Sequence, residues 1–469
     1  MRRTLFFIIL SRALSSCVHE PMIPRVTDNY PGNISVIMSV NCLGGNCHSG
    51  ATDVNTKLDL STWDAMTKGS VFFNEVVPFS AAKSHFFAHI NTNKSRGPVV
   101  IPTMPLARDP LSETDQIAFL DWINDGAKSA DGKIPYSDVS KKIFIVNQSE
   151  DMISVIDADT KRLVRVISSG AKYPTAITMM PDLKTFIVAI AGSNGLIKKF
   201  DASSYAALGE FQSDLNPSSI AVTSDGTKGY FTDELGNGNR FGVLNPVSMK
   251  LIKAVSSQLI EDPVDVAIAP DGKYAYICGH GSDNIIRIDT RNDSVVGCLP
   301  LGDDVAIPFI PTYISKYQPE KVVITSDSKI MYVTCIGSSE VIAFDLMQDT
   351  IVARIPIHYQ PWGEALRPPN EAELWTATYG SNAIHVISTS ENKVVFQIDS
   401  ISQLPRAITF TPDGAFAYVA CELSAGGAHH HGTGGVAPSS YVVIDCNTRK
   451  VVSIQDLPAT SVSVTVGYK

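Results

Sequence analysis

Two cysteines and a histidine near the start of the chain form its clearest chemical pattern. They are Cys42, Cys47 and His48, in the segment Cys-Leu-Gly-Gly-Asn-Cys-His. Two thiols followed at once by an imidazole are the arrangement that attaches haem covalently, with thioether anchors and an imidazole on the iron. Most such sites have two residues between the cysteines, whereas this one has four, C-x4-C-H. We predict a haem c site, and the alternative is a short-loop disulfide beside a surface histidine.

A methionine further along the chain is the candidate for the second axial ligand of the iron. Met104 lies between two prolines in the segment Ile-Pro-Thr-Met-Pro. A thioether can bind haem iron, although an isolated methionine also serves as core filler. We predict that His48 and Met104 are the two axial ligands. His85 and His89 are four residues apart on a predicted helix, and we interpret them as a solvated helix face rather than as metal ligands.

Helical patterns flank these residues on both sides. Asn33 is a candidate cap for a helix that runs into Cys42. Ser112 is a candidate cap for a second helix, which stops at Gly126. The apolar face predicted for the second helix consists of Ile117, Leu120 and Ile123.

The order of these features resembles that of small c-type cytochromes: a helix, a haem loop, a methionine loop and a closing helix. Residues 30–130 are therefore identified as a small all-α domain similar to that family. The pattern is similar to planctomycete-type and Bacteroidetes-type proteins, in which Met-Pro precedes Leu-Ser and then Trp-Ile-x-x-Gly-Ala. Here these residues are Met104-Pro105, Leu111-Ser112 and 122–127. The resemblance implies bound haem c and electron transfer.

The first residues are typical of a bacterial export signal. Arg2 and Arg3 precede the apolar residues 5–10, and Leu-Ser-Ser-Cys17 follows. This ending resembles the lipobox of bacterial lipoproteins, which implies that residues 1–17 are a signal peptide and that Cys17 is acylated; a plain secretory signal is the alternative. The expected location is the periplasm or cell surface, lipid-anchored to the outer membrane of a Gram-negative bacterium. The lipid is the only membrane contact expected, because no other segment is apolar enough to span a bilayer.

Composition narrows the class of partner. The 469 residues carry a net charge of −9, with 44% hydrophobic and 18% charged residues. We expect no nucleic-acid binding, because neutralising phosphates requires a patch of lysine and arginine. A redox protein with a basic docking patch fits an acidic protein better. The length predicts two or three domains.

From residue 142 onward the chain repeats one unit. Residues 263–289 show it clearly: a proline, an apolar strand, a tight turn at Asp271-Gly272, and further strands ending in Asp289. Recurrence every 42 to 56 residues suits the four-stranded blades of a propeller. The prolines that lead the units are Pro174, Pro217, Pro263, Pro319, Pro361, Pro405 and Pro458.

These repeats predict a closed ring of seven blades over residues 141–469. The first unit, from Ile143, lacks an inner strand, and the chain ends in an alternating strand at 461–466. We predict that this last strand completes the first blade, so that no sheet edge stays open. The units resemble the YVTN family of β-propellers, a resemblance that implies fold more than function. The expected fold class is multidomain: a small all-α domain, then an all-β seven-bladed propeller closed by the C-terminal strand.

Histidines are expected to gather on one face of this ring. The loop after the second strand of a blade and the link to the next blade open on the same face, and the long insertions 299–317 and 422–439 belong to it. Neutral imidazoles suit copper or zinc, so a second metal site, with copper, is one hypothesis; a loop that merely scavenges metal is the alternative. We assign His385 a structural role. The histidines of this hypothesis are His280, His358, His429, His430 and His431.

Three functions fit these features. The favoured one is an exported haem c electron-transfer protein whose propeller docks a partner or hosts a second redox site. In the second, the propeller is a copper-dependent oxidoreductase that feeds electrons to the haem. In the third, the propeller binds a surface without redox catalysis. No catalytic residue is assigned, because the sequence has no nucleophile elbow, phosphate loop or His-Glu-x-x-His helix.

Overall fold

The protein has a helical N-terminal part followed by seven four-stranded sheets. The computed structural model describes residues 29–43, 47–50, 57–70, 74–191, 195–233, 238–423, 439–457 and 461–468. The predicted signal peptide, residues 1–17 with Cys17, lies outside these ranges. Within them, no helix combines the length and the hydrophobicity that a membrane crossing needs.

The helical part has its own hydrophobic core. Helix α1 contacts α4, and α3 also packs on α4. Trp63, Phe87 and Phe119 are among the largest side chains buried there. The α-helices are α1 (Gly32–Asn41), α2 (Trp63–Thr67), α3 (His85–Ile90) and α4 (Glu113–Asn124), with short 3-10 helices at Ala81–Lys83 and Lys94–Arg96.

Two details of these helices differ from the prediction. Helix α1 begins at Gly32 behind Pro31 without a side-chain cap, so Asn33 lies inside the helix and is not its cap. Ser112 does cap α4, by accepting a hydrogen bond from the Asp115 N–H at 3.1 Å. Ile117, however, is 38% exposed. The helix buries Gln116 instead. Its amide donates to the Leu111 carbonyl and accepts from the Thr92 N–H, so burial leaves these polar atoms hydrogen-bonded.

Each sheet of the propeller is an antiparallel meander of four strands. The strands are β1 (Lys141–Asn147), β2 (Met152–Asp157), β3 (Arg162–Ile167), β4 (Pro174–Met179), β5 (Thr185–Ile190), β6 (Leu196–Asp201), β7 (Ala207–Gln212), β8 (Pro217–Val222), β9 (Gly229–Asp233), β10 (Arg240–Asn245), β11 (Lys250–Ser256), β12 (Pro263–Ile268), β13 (Tyr274–Gly279), β14 (Asn284–Asp289), β15 (Ser294–Pro300), β16 (Pro319–Ile324), β17 (Ile330–Cys335), β18 (Glu340–Asp345), β19 (Thr350–Pro356), β20 (Pro361–Leu366), β21 (Glu373–Thr378), β22 (Ala383–Ser388), β23 (Lys393–Ile398), β24 (Gln403–Phe410), β25 (Phe416–Leu423), β26 (Ser439–Asp445), β27 (Lys450–Leu457) and β28 (Ser461–Tyr468).

The last strand closes the ring as predicted. Strand β28 pairs with β1, so that Ile143 faces Val466, and blade 1 has the order β28-β1-β2-β3. Blades 2 to 7 take four strands each in chain order, which gives seven blades. Five of the predicted prolines begin an inner strand, whereas Pro405 is the third residue of β24 and Pro458 lies outside the described residues.

A buried glutamate interrupts an otherwise aliphatic position of the inner strands. Glu364 on β20 pairs with the second strand at the register where blades 2 to 5 and blade 7 carry isoleucine or valine. It is 7% exposed, and its carboxylate has no hydrogen bond of ordinary geometry among the described residues, although the Val323 N–H is close enough to oppose the rise in its pKa. Burial raises its pKa well above the ordinary value, and the charge of Asp265 adds to this effect, while Lys321 opposes it. The equivalent residues are Ile177, Ile220, Val266, Val322 and Ile408.

We expect Glu364→Ile to raise the free energy of unfolding by about 1–3 kcal/mol, because it removes a buried, unbonded polar group. Denaturant titration followed by fluorescence measures this change. The mirror variant Ile408→Glu puts a carboxyl at the same position of blade 7 and is expected to destabilise the protein. A loss of stability in Glu364→Ile would mean that the carboxyl has a bonding partner in solution.

The helical part covers the outer edge of blade 1. Strand β3 is the edge strand of that blade, and residues 68–70 and 74–83 lie against blade 1; we call this contact the seam. Asn74 Nδ2 donates to the Leu163 carbonyl at 3.1 Å, and Arg162 Nη1 donates to the Lys68 carbonyl at 2.7 Å. These bonds occupy edge groups that would otherwise face solvent.

Charged and aromatic side chains extend the seam. The guanidinium of Arg165 lies 3.5 Å from the ring centroid of Phe79, a cation–π contact. Lys83 forms an ion pair with Glu150 at 3.1 Å, at the turn between β1 and β2. The seam therefore runs from one end of β3 to the face that carries that turn, and the two parts of the chain are held side by side.

A buried acid makes the seam sensitive to pH. Glu75 is 7% exposed, and burial raises its pKa to about 7, although Ser70 and Arg162 oppose the shift. Because the folded pKa is raised, the stabilisation from the neutral form is complete below the unfolded pKa and is lost as pH rises through about 7. The full difference is about 3 kcal/mol.

We therefore expect the seam to open more readily at pH 8 than at pH 5, and Glu75→Gln to remove most of that difference. Hydrogen exchange of residues 74–90, corrected for the intrinsic rate at each pH, measures the opening. Glu150→Gln is a matched control, because it changes an acid at the surface end of the same seam. Equal pH dependence in wild type and Glu75→Gln would exclude Glu75 as the titrating group.

Candidate functional site

Cys42 reaches the core of the helical part because of its helical spacing. Ile34, Met38 and Cys42 follow one another at four-residue intervals, so they share one face of α1. Cys42 caps the helix, with its N–H bonded to the Met38 carbonyl at 2.9 Å, and is 9% exposed. Burial raises the pKa of its thiol to about 12, and the neighbouring Cys47 adds to the shift.

Cys47 and His48 follow on the loop after α1. Cys47 is exposed, and both cysteines are free thiols, so the alternative of a disulfide does not describe this structure. His48 is half-buried, and its carbonyl accepts the Leu60 N–H at 2.8 Å. The Nδ1 atom of its ring is buried without a hydrogen-bond partner among the described residues. A buried polar atom of this kind is expected to meet a ligand, an ion or water in the working protein.

The loop that carries Met104 is tied to α3. The Met104 N–H donates to the His89 carbonyl at 2.7 Å, and the Val100 N–H donates to the Ala88 carbonyl at 2.9 Å. The side chain of Met104 is half-buried against the same core cluster that contains Cys42. The structure thus brings Cys42 and Met104, two of the four predicted haem residues, to one core. Cys47 and His48 lie on the loop that follows Cys42.

The other histidine pair of the helical part is less exposed than predicted. The rings of His85 and His89 lie 6.0 Å apart on α3, and both residues are half-buried rather than solvated. Their neighbours Phe86, Phe87 and Ala88 are buried, which draws the short helix into the core.

His280 and His358 both lie on the face of the ring predicted for them, after β13 and between β19 and β20. His280 Nδ1 is 3.4 Å from Glu320 Oε2, with Asp262 nearby. His358 is exposed and lies beside His385, with ring centroids 6.4 Å apart. His429, His430 and His431 lie outside the described residues. Among the residues that are described, no three histidine, cysteine, aspartate or glutamate side chains form a group suited to a metal ion.

His385 is a residue whose surroundings the sequence did not reveal. It is 2% exposed, and its Nδ1 lies 2.7 Å from Thr378 Oγ1. The sequence did contain a signal, because His358 precedes the first strand of blade 6 and His385 is near the start of the third. Both positions belong to the same end of one blade.

The long blade link, residues 301–318, borders a shallow pocket of about 480 Å³. Its wall includes Asp303, Tyr317 and Arg354, whose guanidinium lies 5.2 Å from the Tyr317 ring centroid. The link is fixed by Asp283, which accepts bonds from the Tyr317 and Gln318 amides at 3.1 and 2.7 Å. This elaborated face is the one predicted from loop lengths.

Comparison with known proteins supports the architecture. No family model and no curated protein matches the chain. Among solved structures, a hydrazine synthase of Kuenenia stuttgartiensis is 18% identical, with 67% of this chain and 92% of that chain covered and a TM-score of 0.51. A functionally unknown protein from Desulfotomaculum acetoxidans is 12% identical, with 70% and 99% covered and a TM-score of 0.56. The shared feature is the fold. This chain contains a seven-bladed β-propeller. At such low identity the likeness carries no activity over to it.

Proposed function

We propose that this protein is an exported haem c electron-transfer protein whose propeller docks a redox partner. The observation that carries the proposal is the placement of Cys42 and Met104 on one hydrophobic core, with Cys47 and His48 on the loop that follows Cys42. Free thiols, an imidazole with an unbonded buried nitrogen and a half-buried thioether are the donor types that haem c requires.

The residues present fit that cofactor. Cys42 and Cys47 would hold it through thioethers, and His48 and Met104 would be the axial ligands. When bound, haem iron supplies a one-electron couple. Two cysteine attachments keep the group from dissociating, and a methionine ligand raises the reduction potential.

The chain itself supplies the surroundings of that site. The buried rings of Trp63, Phe87 and Phe119 exclude water from the core. The indole of Trp63 donates to the Ala127 carbonyl at 2.8 Å, which fixes the turn after α4. The hydrogen bond from Met104 to His89 fixes the height of the methionine loop along α3.

The partner in this proposal is a redox protein with a basic surface. The net charge of −9 favours such a partner electrostatically and disfavours nucleic acid. Location in the periplasm or at the cell surface, with Cys17 lipidated, belongs to the same proposal, because haem thioethers in bacteria are completed outside the cytoplasm.

A second candidate is a propeller that also carries a redox metal, copper, and passes electrons to the haem. The observation that favours it is the contact between His358 and His385 on the elaborated face. The predicted participation of His280 receives less support, because no group of three ligating side chains forms around it among the described residues.

The absorption spectrum of the reduced protein tests the proposal. The full chain is expressed in a host that attaches haem c, and the sharp visible bands of a reduced c-type haem are expected in wild type. His48→Ala should alter these bands. A colourless protein from a host that matures a control cytochrome would contradict the proposal.

A further inference from the structure

Blade 6 carries two imidazoles whose arrangement has no structural explanation of its own. His385 lies on β22 and is 2% exposed. His358 lies in the link before β20 and is exposed. Their ring centroids are 6.4 Å apart, and the ring planes are inclined at 45°. Two imidazoles on one ion have centroids on the order of 5–6 Å apart, since each metal–nitrogen bond is about 2.0–2.1 Å.

The hydrogen bonding of His385 prepares one ring nitrogen for a ligand. Nδ1 lies 2.7 Å from Thr378 Oγ1, whereas the Nε2 atom is buried without a hydrogen bond of ordinary geometry among the described residues, although Gln397 is close enough to interact with the ring. If Nδ1 donates to Thr378, Nε2 holds a lone pair. A histidine that ligates a metal commonly fixes its other nitrogen in this way.

The electrostatics of His385 favour its neutral imidazole. Burial lowers the pKa of His385, and the facing His358 lowers it further, while Gln397 and Asp399 act in the opposite direction.

We propose that blade 6 binds one divalent ion of the zinc or copper class through His358 and the Nε2 atom of His385, with Thr378 as a positioning residue. Imidazole nitrogens select such borderline ions over calcium and magnesium, which prefer oxygen. Two protein ligands leave positions for water, so the site is open to a further ligand. This proposal does not depend on haem in the helical part.

Zinc binding to the full chain tests this proposal. Three consecutive histidines bind metal by themselves, so the parent protein for the test carries serine at positions 429, 430 and 431. Equilibrium dialysis against zinc alone, followed by elemental analysis, counts bound ions. His358→Ala and His385→Gln are each expected to lower the count by one. Thr378→Val is expected to weaken binding of that ion by about tenfold or more.

The matched control is His280→Ala, a histidine of the same face that is paired with Glu320, and it should leave the count unchanged. His358 is exposed, so His358→Ala tests the site without disturbing the core even if His385→Gln folds poorly. An unchanged count in His358→Ala overturns the proposal, as does a parent protein that binds no ion removable by these substitutions.

Discussion

Replacing both Cys42 and Cys47 with alanine is expected to reduce covalently bound haem from one per chain to none. Only a thioether survives denaturation, and axial ligands do not. Each single variant keeps one possible thioether and should retain covalent haem at a reduced yield. The measurement is the haem content of denatured protein after maturation in a competent host, normalised to protein.

A thiol from the propeller provides the control for these variants. Cys298 on β15 is a half-buried free thiol, and Cys298→Ala should keep one haem per chain. If the double variant retained as much haem as Cys298→Ala, the haem would be held elsewhere, and the role assigned to Cys42 and Cys47 would be wrong.

Met104→Ala is expected to keep the haem but to change its electronic state. Loss of the thioether ligand should remove the sulfur-to-iron charge-transfer band of the oxidised protein. It should also lower the reduction potential by on the order of 0.1 V, a fraction of the about 0.8 V over which axial ligands tune haem. Absorption spectroscopy and a redox titration measure the two effects.

A second methionine of the same core separates ligation from packing. Met66 is fully buried in that cluster, and Met66→Leu conserves volume. It should leave both the band and the potential close to wild type. A charge-transfer band that survives in Met104→Ala would remove Met104 from the iron and leave the distal ligand to another residue.

The number of blades could be predicted because each part of the repeat is determined by residue types within its own segment. Proline, an apolar strand and a tight turn, usually with aspartate, recur every 42 to 56 residues, and each part shapes its own segment. The missing inner strand at Ile143 and the extra strand at the chain end also predicted the closure. Pro405 fell inside its strand because β24 extends two residues further back than its equivalents.

The features that the sequence could not predict depend on contacts between segments that are distant in the chain. The position of His385 within a strand favours the structural role assigned to it, but it does not predict that the link before β20 brings His358 beside it. Glu364 occupies a regular position of an inner strand, and only its side-chain type distinguishes it from the isoleucine or valine at the equivalent position of other blades. No sequence pattern predicts that Glu75 is buried, because its burial arises only when the seam forms between parts far apart in the chain.

The helical part also shows that local patterns predict a buried face but not the contacts between segments. The helical spacing of Ile34, Ile37 and Met38 predicts one apolar face of α1, and all three side chains are buried. For α4, hydropathy alone favoured Ile117 over Gln116, whereas the structure buries the glutamine because its amide finds partners at Leu111 and Thr92. The hydrophobic periodicity of one helix cannot predict hydrogen-bond partners that another segment supplies.

The intact mass of the denatured wild-type chain, matured where haem attachment operates, tests the central claim most directly. We predict a mass that exceeds that of the processed, lipidated polypeptide by one haem. A polypeptide mass without that addition, from cells that mature a control cytochrome, would contradict electron transfer through haem and leave a seven-bladed propeller whose role lies elsewhere.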